Sequence, residues 1–444
     1  VNKKLKLWTG IGTYALVNIG AMSPALSESA TVEGTLTLPS AQVSTLLSQN
    51  DACVAVPVEG GGEGGGEGEP MAGGEGGEGG EGGEGGEGGE GGEGGEGGEG
   101  GEAAFTTRVY LPPSQRFQDR QILADFVDQL IVPNYEQLTD LTGSLADAIA
   151  TFTANPTEAN LEAARTVWLS ARNPWEQSEA FAFGPAAFLG LDAELDDWPV
   201  NEADVIAVLE SGDTLTPAYV DGLLTSQKGF HAIGYLLFGT DDDKLLSDFT
   251  TRDLEYLAAV APVFDQTAND LLASWTEGVQ GYPPFRSEFV NAGAGSEIYP
   301  TVQTAAEEIT QGIIGILDEL GNVKIGEAVE AQNPFLLESR FSQSSLADFK
   351  DNLISARNAY LGEYEAAGTE GKGLADFVAA VEPELDAEIR AKLDVAMADI
   401  EAIPGPLEKT LCDRAAQPEI ATAQESVLEL FDLFQQRVLP LVQQ

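Results

Sequence analysis

The chain contains one histidine, His231, in the stretch GFHAIGYLLFG (residues 229–239). Its two cysteines, Cys53 and Cys412, are far apart in sequence. One imidazole and two distant thiols are a poor basis for a zinc site of the usual nitrogen and sulfur kind. A metal centre here would join the imidazole to carboxylate, phenol or water oxygens, a hard set suited to iron(III), calcium or manganese. Tyr235, one turn beyond His231, offers a phenol, whereas Gly234 at i+3 offers no ligand and no general base. A serine triad would also need His231, but no nucleophile elbow accompanies it. Phosphate loop, dinucleotide fingerprint and HExxH are all missing from the sequence.

Two other stretches gather polar and aromatic side chains. ARNPWEQSEAFAFGPA (171–186) carries Arg172, Trp175, Ser178 and Glu179. Glu179 lies among Trp175, Phe181 and Phe183, where a carboxylate either pairs with Arg172 or faces a cleft. ESRFSQSSLADFKDNLISARNAYLG (338–362) carries Ser345, Asp348 and Asn352. Asp348 either caps its own helix through the backbone N–H of Ser345 or faces a site. TDDDK (240–244) is either a solvated turn or a cation contact. His231 itself is a satisfied core residue, a ligand, or a member of a hydrolytic site.

These residues need helices to position them. Tyr135, Leu138, Leu145, Ile149 and Phe152 share one helical face, and Leu161, Ala164, Trp168 and Ala171 share another. NPTE (155–158) places an N-cap at Asn155 and a proline at the first helical position. Similar stripes run through Leu254–Phe264, Val302–Leu320 (with a stop at Gly321), Leu346–Tyr360, Leu385–Ile400 and Val427–Val438. Strand-like alternation is nearly absent after residue 103. The pattern predicts an all-α protein of packed bundles, with a break near residues 322–334.

The formal charge is −51, from 22 basic and 73 acidic residues. Fourteen glutamates lie between Glu59 and Glu102, and setting them aside still leaves a strong excess of acid. Such a surface repels nucleic acid and anionic membranes and suits cations or a salty medium. Lys3, Lys4 and Lys6, an apolar run over 7–22 and the small residues of SPALSESA read as a signal peptide over 1–30. No other apolar run could span a bilayer, so export to the periplasm or the medium is expected. Residues 31–58 carry no assignable role. Residues 59–102 form a Gly/Glu linker that includes ten uninterrupted GGE repeats, too polar to fold. The tract is a spacer, a weak cation trap or a contact for a cell-envelope partner. Cys53 and Cys412 could pair in an exported protein.

Taken in order, the three polar stretches resemble the imelysin family, which includes peptidases and periplasmic iron-uptake proteins related to iron-regulated protein A. The family hallmark is Gly-x-His-x-x-Glu; Gly229 and His231 match it, and Gly234 replaces the glutamate. Arg172, Pro174 and Glu179 match a second family segment, Ser342, Ser345, Asp348 and Asn352 a third, and GKGLADFV (371–378) a fourth. The resemblance covers roughly residues 119–444. It implies two helical bundles side by side, over 103–325 and 326–444, with the hallmark helix near their interface. It also implies iron, or another divalent cation, held by His231, Glu179 and Asp348. The surrounding cleft would be lined by Arg172, Trp175, Ser178, Tyr235, Ser345 and Asn352. Three functions follow from it: binding of iron or an iron-bearing ligand, metallopeptidase activity, and an interaction module whose metal site has decayed. Loss of the hallmark glutamate favours binding over hydrolysis and leaves the catalytic residues unassigned.

Overall fold

The structure, a computed structural model, describes residues 111–444. The expected signal peptide, the 31–58 segment, the Gly/Glu tract and Cys53 lie outside the described residues. Within them, apolar residues three and four apart become buried helix faces. Helix α1 (Val132–Ala154) buries Tyr135, Leu138, Leu145, Ile149 and Phe152. Helix α2 (Glu158–Glu176) buries Leu161, Ala164, Trp168 and Ala171. Its cap is Thr157, whose hydroxyl accepts from the Asn160 N–H, and not Asn155. Asn155 is already engaged as the C-terminal residue of α1, its N–H bonded to the Thr151 carbonyl.

Helices α1, α2 and α5 (Thr251–Thr276) pack together and carry the short α3 (Leu191–Asp196) and α4 (Gly229–Phe238). A second group follows. Helix α6 (Val302–Asp318) packs on α7 (Ser345–Leu361) and α9 (Gln417–Leu433), and α8 (Pro383–Ala402) joins α7 to α9. The groups meet where α2 lies on α7, and where the turn Glu179–Phe181 sits on α6 and α7. Two helical bundles side by side are therefore what the stripes build. The strands among the described residues are Glu363–Tyr364 and Thr369–Glu370, a short antiparallel pair. No helix of the described residues is long and apolar enough to cross a membrane.

The expected stop at Gly321 does not occur. The chain continues from α6 in π-helical turns over Glu319–Glu327 and stays helical to Ala331. Gly321 serves packing instead: a Cβ there would lie 2.7 Å from Leu428 of α9. The π-helical stretch carries Lys324 into the interior, where it is 1% exposed. The bundle boundary expected at residues 325/326 falls inside this stretch. Cys412 is disulfide-bonded.

Candidate metal centre

Arg172 and Glu176 are one turn apart at the end of α2, hence on one face, and that face is buried at the seam between the two groups. Arg172 holds four carboxylates. Its Nη1 donates to both Asp196 oxygens at 2.8 Å. Its Nη2 donates to Glu176, to Glu338 at 3.1 Å and to Asp348 at 3.2 Å. The guanidinium lies 5.0 Å from the centre of the Phe230 ring. Lys324 Nζ adds contacts of 2.7 Å to Glu338 and 3.3 Å to Glu176. Asn352 Nδ2 donates to Glu176 at 2.7 Å, and Trp175 Nε1 to Asp196 at 2.6 Å.

His231 reaches this cluster from α4. Gly229 allows that approach: its φ is +80°, and a Cβ there would meet the Leu195 carbonyl at 2.4 Å, so only glycine lets α4 start against α3. His231 is 2% exposed, with Nε2 2.9 Å from Asp196 Oδ1. Among the described residues, that nitrogen has no aligned hydrogen-bond partner. Glu338 Oε2 is likewise without an aligned donor, although it is ion-paired with Lys324.

Four carboxylates face two permanent cations in a buried seam, and they divide accordingly. Burial pushes the Glu176 carboxyl well above its ordinary range, with Arg172 and Lys324 only partly offsetting it. Burial also raises Asp348 against the pull of Arg172. At Asp196, burial is overcome by Arg172 and then His231, and the carboxyl is held low. At Glu338, burial is overcome by Lys324 and Arg172, and the carboxyl is again held low. The two carboxylates kept ionised are thus the ones that stand with His231.

Three carboxylate-rich groups have ligand atoms within 4.8 Å of one another. The Glu176–Glu338–Asp348 group is filled, since Arg172 Nη2 contacts all three. The Asp196–His231–Glu338 group offers an imidazole nitrogen and two ionised carboxylates, with two atoms lacking aligned hydrogen bonds. That donor set fits a divalent or trivalent cation such as iron. The third group is Glu176, Glu179 and Asp196.

The fold brings His231, Arg172, Trp175, Asp348 and Asn352 together, with Glu179 at the margin. It separates the others. Tyr235 packs edge-on against Phe341, ring centres 5.4 Å apart, and lines a concavity of about 270 Å³ with Leu209, Lys244 and Asp253. Ser178 donates to the Trp175 carbonyl at 2.6 Å. Glu179 does not pair with Arg172, which is saturated by four other acids. Asp348 does not cap α7: the Ser345 N–H goes to Glu408 at 3.1 Å, and the Ser345 hydroxyl accepts from Ser339 N–H. The attraction of Arg172 outweighs a local cap. Glu176, Asp196, Lys324 and Glu338 were not anticipated. Glu176 stands at i+4 from Arg172, and Lys324 is an isolated base in an acidic segment, so both left a trace in the sequence.

Asp351, next to this cluster on α7, accepts from Gln177 at 2.6 Å and is 8% exposed. Burial raises its carboxyl from the usual 3.8 to about 7. A folded-state pKa above the unfolded one means that the folded state binds the extra proton. This side chain therefore lowers stability progressively as pH rises from about 4 to 7. Asp351→Asn keeps the acceptor for Gln177 and removes the titration. It is expected to raise the melting temperature at pH 8, to raise it less at pH 6, and to do nothing near pH 4. The gain at pH 8 should be on the order of a few kcal/mol. A gain that does not depend on pH would contradict the assignment.

These features define an all-helical protein with a buried histidine–carboxylate centre at the seam of two bundles. The imelysin family model matches residues 131–434, and the chain belongs to that family. It is 33% identical over 330 residues to iron-regulated protein A of Synechococcus elongatus, covering 74% of this chain and 88% of that protein. A crystal structure from Parabacteroides distasonis, described as an iron-regulated protein A precursor, is 26% identical. It superposes with a TM-score of 0.67 over 75% of this chain and 96% of that one. An imelysin-like protein from Psychrobacter arcticum shares the fold at 13% identity, with a TM-score of 0.59 over 74% of this chain and 98% of that one.

Proposed function

We propose that this protein is an exported iron-acquisition protein that binds iron, or an iron-bearing ligand, through His231, Asp196 and Glu338. One observation carries the proposal: a buried imidazole nitrogen without an aligned partner stands within 4.8 Å of two carboxylates that the surrounding charges keep ionised. Arg172 and Lys324 hold those carboxylates in place through ion pairs. Lys324 also neutralises part of the charge, which limits the cost of the unloaded state. Iron is favoured by the curated relative, which is named for regulation by iron, and by the hard, mostly oxygen donor set. Binding is favoured over hydrolysis because Gly234 supplies no general base.

Calorimetric titration of the full chain with ferrous and ferric salts tests this. Saturable binding is expected, weakened by at least about tenfold in His231→Ala and in Glu338→Gln. Glu338→Gln preserves side-chain size, so a folded variant with unchanged affinity would remove this residue from the site. No saturable binding in the wild type would sink the proposal. Chelator-sensitive cleavage of a peptide library would replace it with a hydrolytic function.

A further inference from the structure

Two cations serve the buried seam, and they are held differently. Arg172 is fixed: its planar fork grips both oxygens of Asp196 and reaches three more acids. Lys324 is a compact charge on a flexible four-carbon stem. Its Nζ stands among three carboxylates, 2.7 Å from Glu338, 3.3 Å from Glu176 and 3.9 Å from Glu319. Glu338 and Glu176 are buried, whereas the Glu319 side chain is 42% exposed. The π-helical turns over Glu319–Glu327 create this arrangement, because i→i+5 bonding returns residue 324 beneath residue 319. An α-helix, at 3.6 residues per turn, would point the two side chains apart.

Glu338 Oε2 is the atom that Lys324 contacts, and among the described residues it has no aligned hydrogen bond. The ammonium therefore holds this oxygen by charge. At equal separation a divalent or trivalent ion attracts a carboxylate about two or three times as strongly as an ammonium does, and a sodium ion no more strongly. Sodium would also have to shed water to enter, with nothing gained by the exchange. This discrimination matters on a chain of formal charge −51, whose field draws every cation in the medium.

We propose, on the reading of His231, Asp196 and Glu338 as iron ligands, that Lys324 is a tethered competitor for that site. Its ammonium occupies Glu338 until a multivalent cation displaces it toward Glu319, and monovalent ions are thereby excluded. No covalent bond forms or breaks in the displacement. The ammonium keeps its proton, because Glu319 replaces Glu338 as its partner.

Lysine acetylation of the full chain, mapped by mass spectrometry with and without ferrous sulfate under anoxic conditions, follows the ammonium directly. Lys324, 1% exposed, is expected to resist the reagent until iron is added and to react once it stands beside Glu319. Lys228, whose side chain is 3% exposed, should stay protected in both. Calorimetric titration with ferrous sulfate reads the competition. Glu319→Gln should weaken binding about tenfold by removing the destination of the ammonium. Asp318→Asn, an equal change of charge on the exposed neighbour, should leave the affinity unchanged. Wild-type affinity should be the same in sodium chloride and in choline chloride of equal ionic strength, whereas Lys324→Met should bind less tightly in the sodium salt. Should Lys324→Met fail to fold, the labelling and Glu319→Gln still decide. Protection of Lys324 in the iron-loaded protein, unchanged affinity in Glu319→Gln, or a wild-type loss of affinity specific to sodium would each overturn the competitor while leaving iron binding in place. A wild-type protein that binds no iron would overturn both.

Discussion

Arg172→Met is expected to destabilise the fold by at least about 3–5 kcal/mol, the cost of leaving buried charges without their partner. The guanidinium holds Asp196 through both oxygens at 2.8 Å and reaches Glu338 and Asp348 at 3.1 and 3.2 Å, besides Glu176. Methionine fills much of the volume but supplies none of these donors. Lysine cannot restore them, because one ammonium cannot span four carboxylates as a planar fork does. The contribution of Asp196 and Glu338 to the pH dependence should change sign. In the wild type, Asp196 and Glu338 are held low, so their contribution is present above about pH 4 and is lost as pH falls below that. Without Arg172 their carboxyls rise above the unfolded value, and the variant should lose stability as pH rises through the range from about 4 to 7. Urea unfolding at pH 5 and pH 8 measures both effects. A loss under 1 kcal/mol that is the same at both pH values would mean that the seam is held by its apolar contacts alone.

Local patterns carried most of the fold. The Tyr135–Phe152 and Leu161–Ala171 stripes could be read because each side chain's burial follows from helical periodicity alone. The site was legible only in outline. His231, Arg172 and Asn352 stood out as polar residues in aromatic surroundings, and the fold does bring them together. Glu338 and Asp196 could not be chosen from among many acids, because their roles come from contacts with Arg172, which is distant in sequence. Lys324 was hidden by its geometry. Read as an ordinary helix ended by Gly321, its segment gives no reason for a buried ammonium; π-helical turns supply one. Asp348 shows the same competition at one residue, where a sound capping pattern gave way to a long-range ion pair at 3.2 Å.

The hallmark position itself gives the second large effect. Gly234→Glu would restore the family glutamate, yet it is expected to destabilise this protein by about 4 kcal/mol or more, combining overpacking with burial of a carboxylate. A Cβ at residue 234 would lie 2.9 Å from Cζ2 of Trp168. The indole cannot move aside cheaply. Its Nε1 donates to the Phe230 carbonyl at 3.0 Å, and its ring packs edge-on against Phe230 and Phe238 with centres 6.1 and 5.2 Å away. The better helix propensity of glutamate returns at most about 1 kcal/mol. Trp168→Ala should cost about 3–5 kcal/mol through the cavity it leaves. In the double variant the glutamate side chain enters that cavity, so the two losses should fall short of their sum by at least about 1 kcal/mol. The new carboxylate would stand one turn from His231, and iron affinity should rise above that of Trp168→Ala alone. Chemical denaturation of the four proteins completes the cycle. Strict additivity would mean that residues 168 and 234 do not share a volume. A coupling of the expected sign would mean that tryptophan and glutamate are alternatives for one space beside His231.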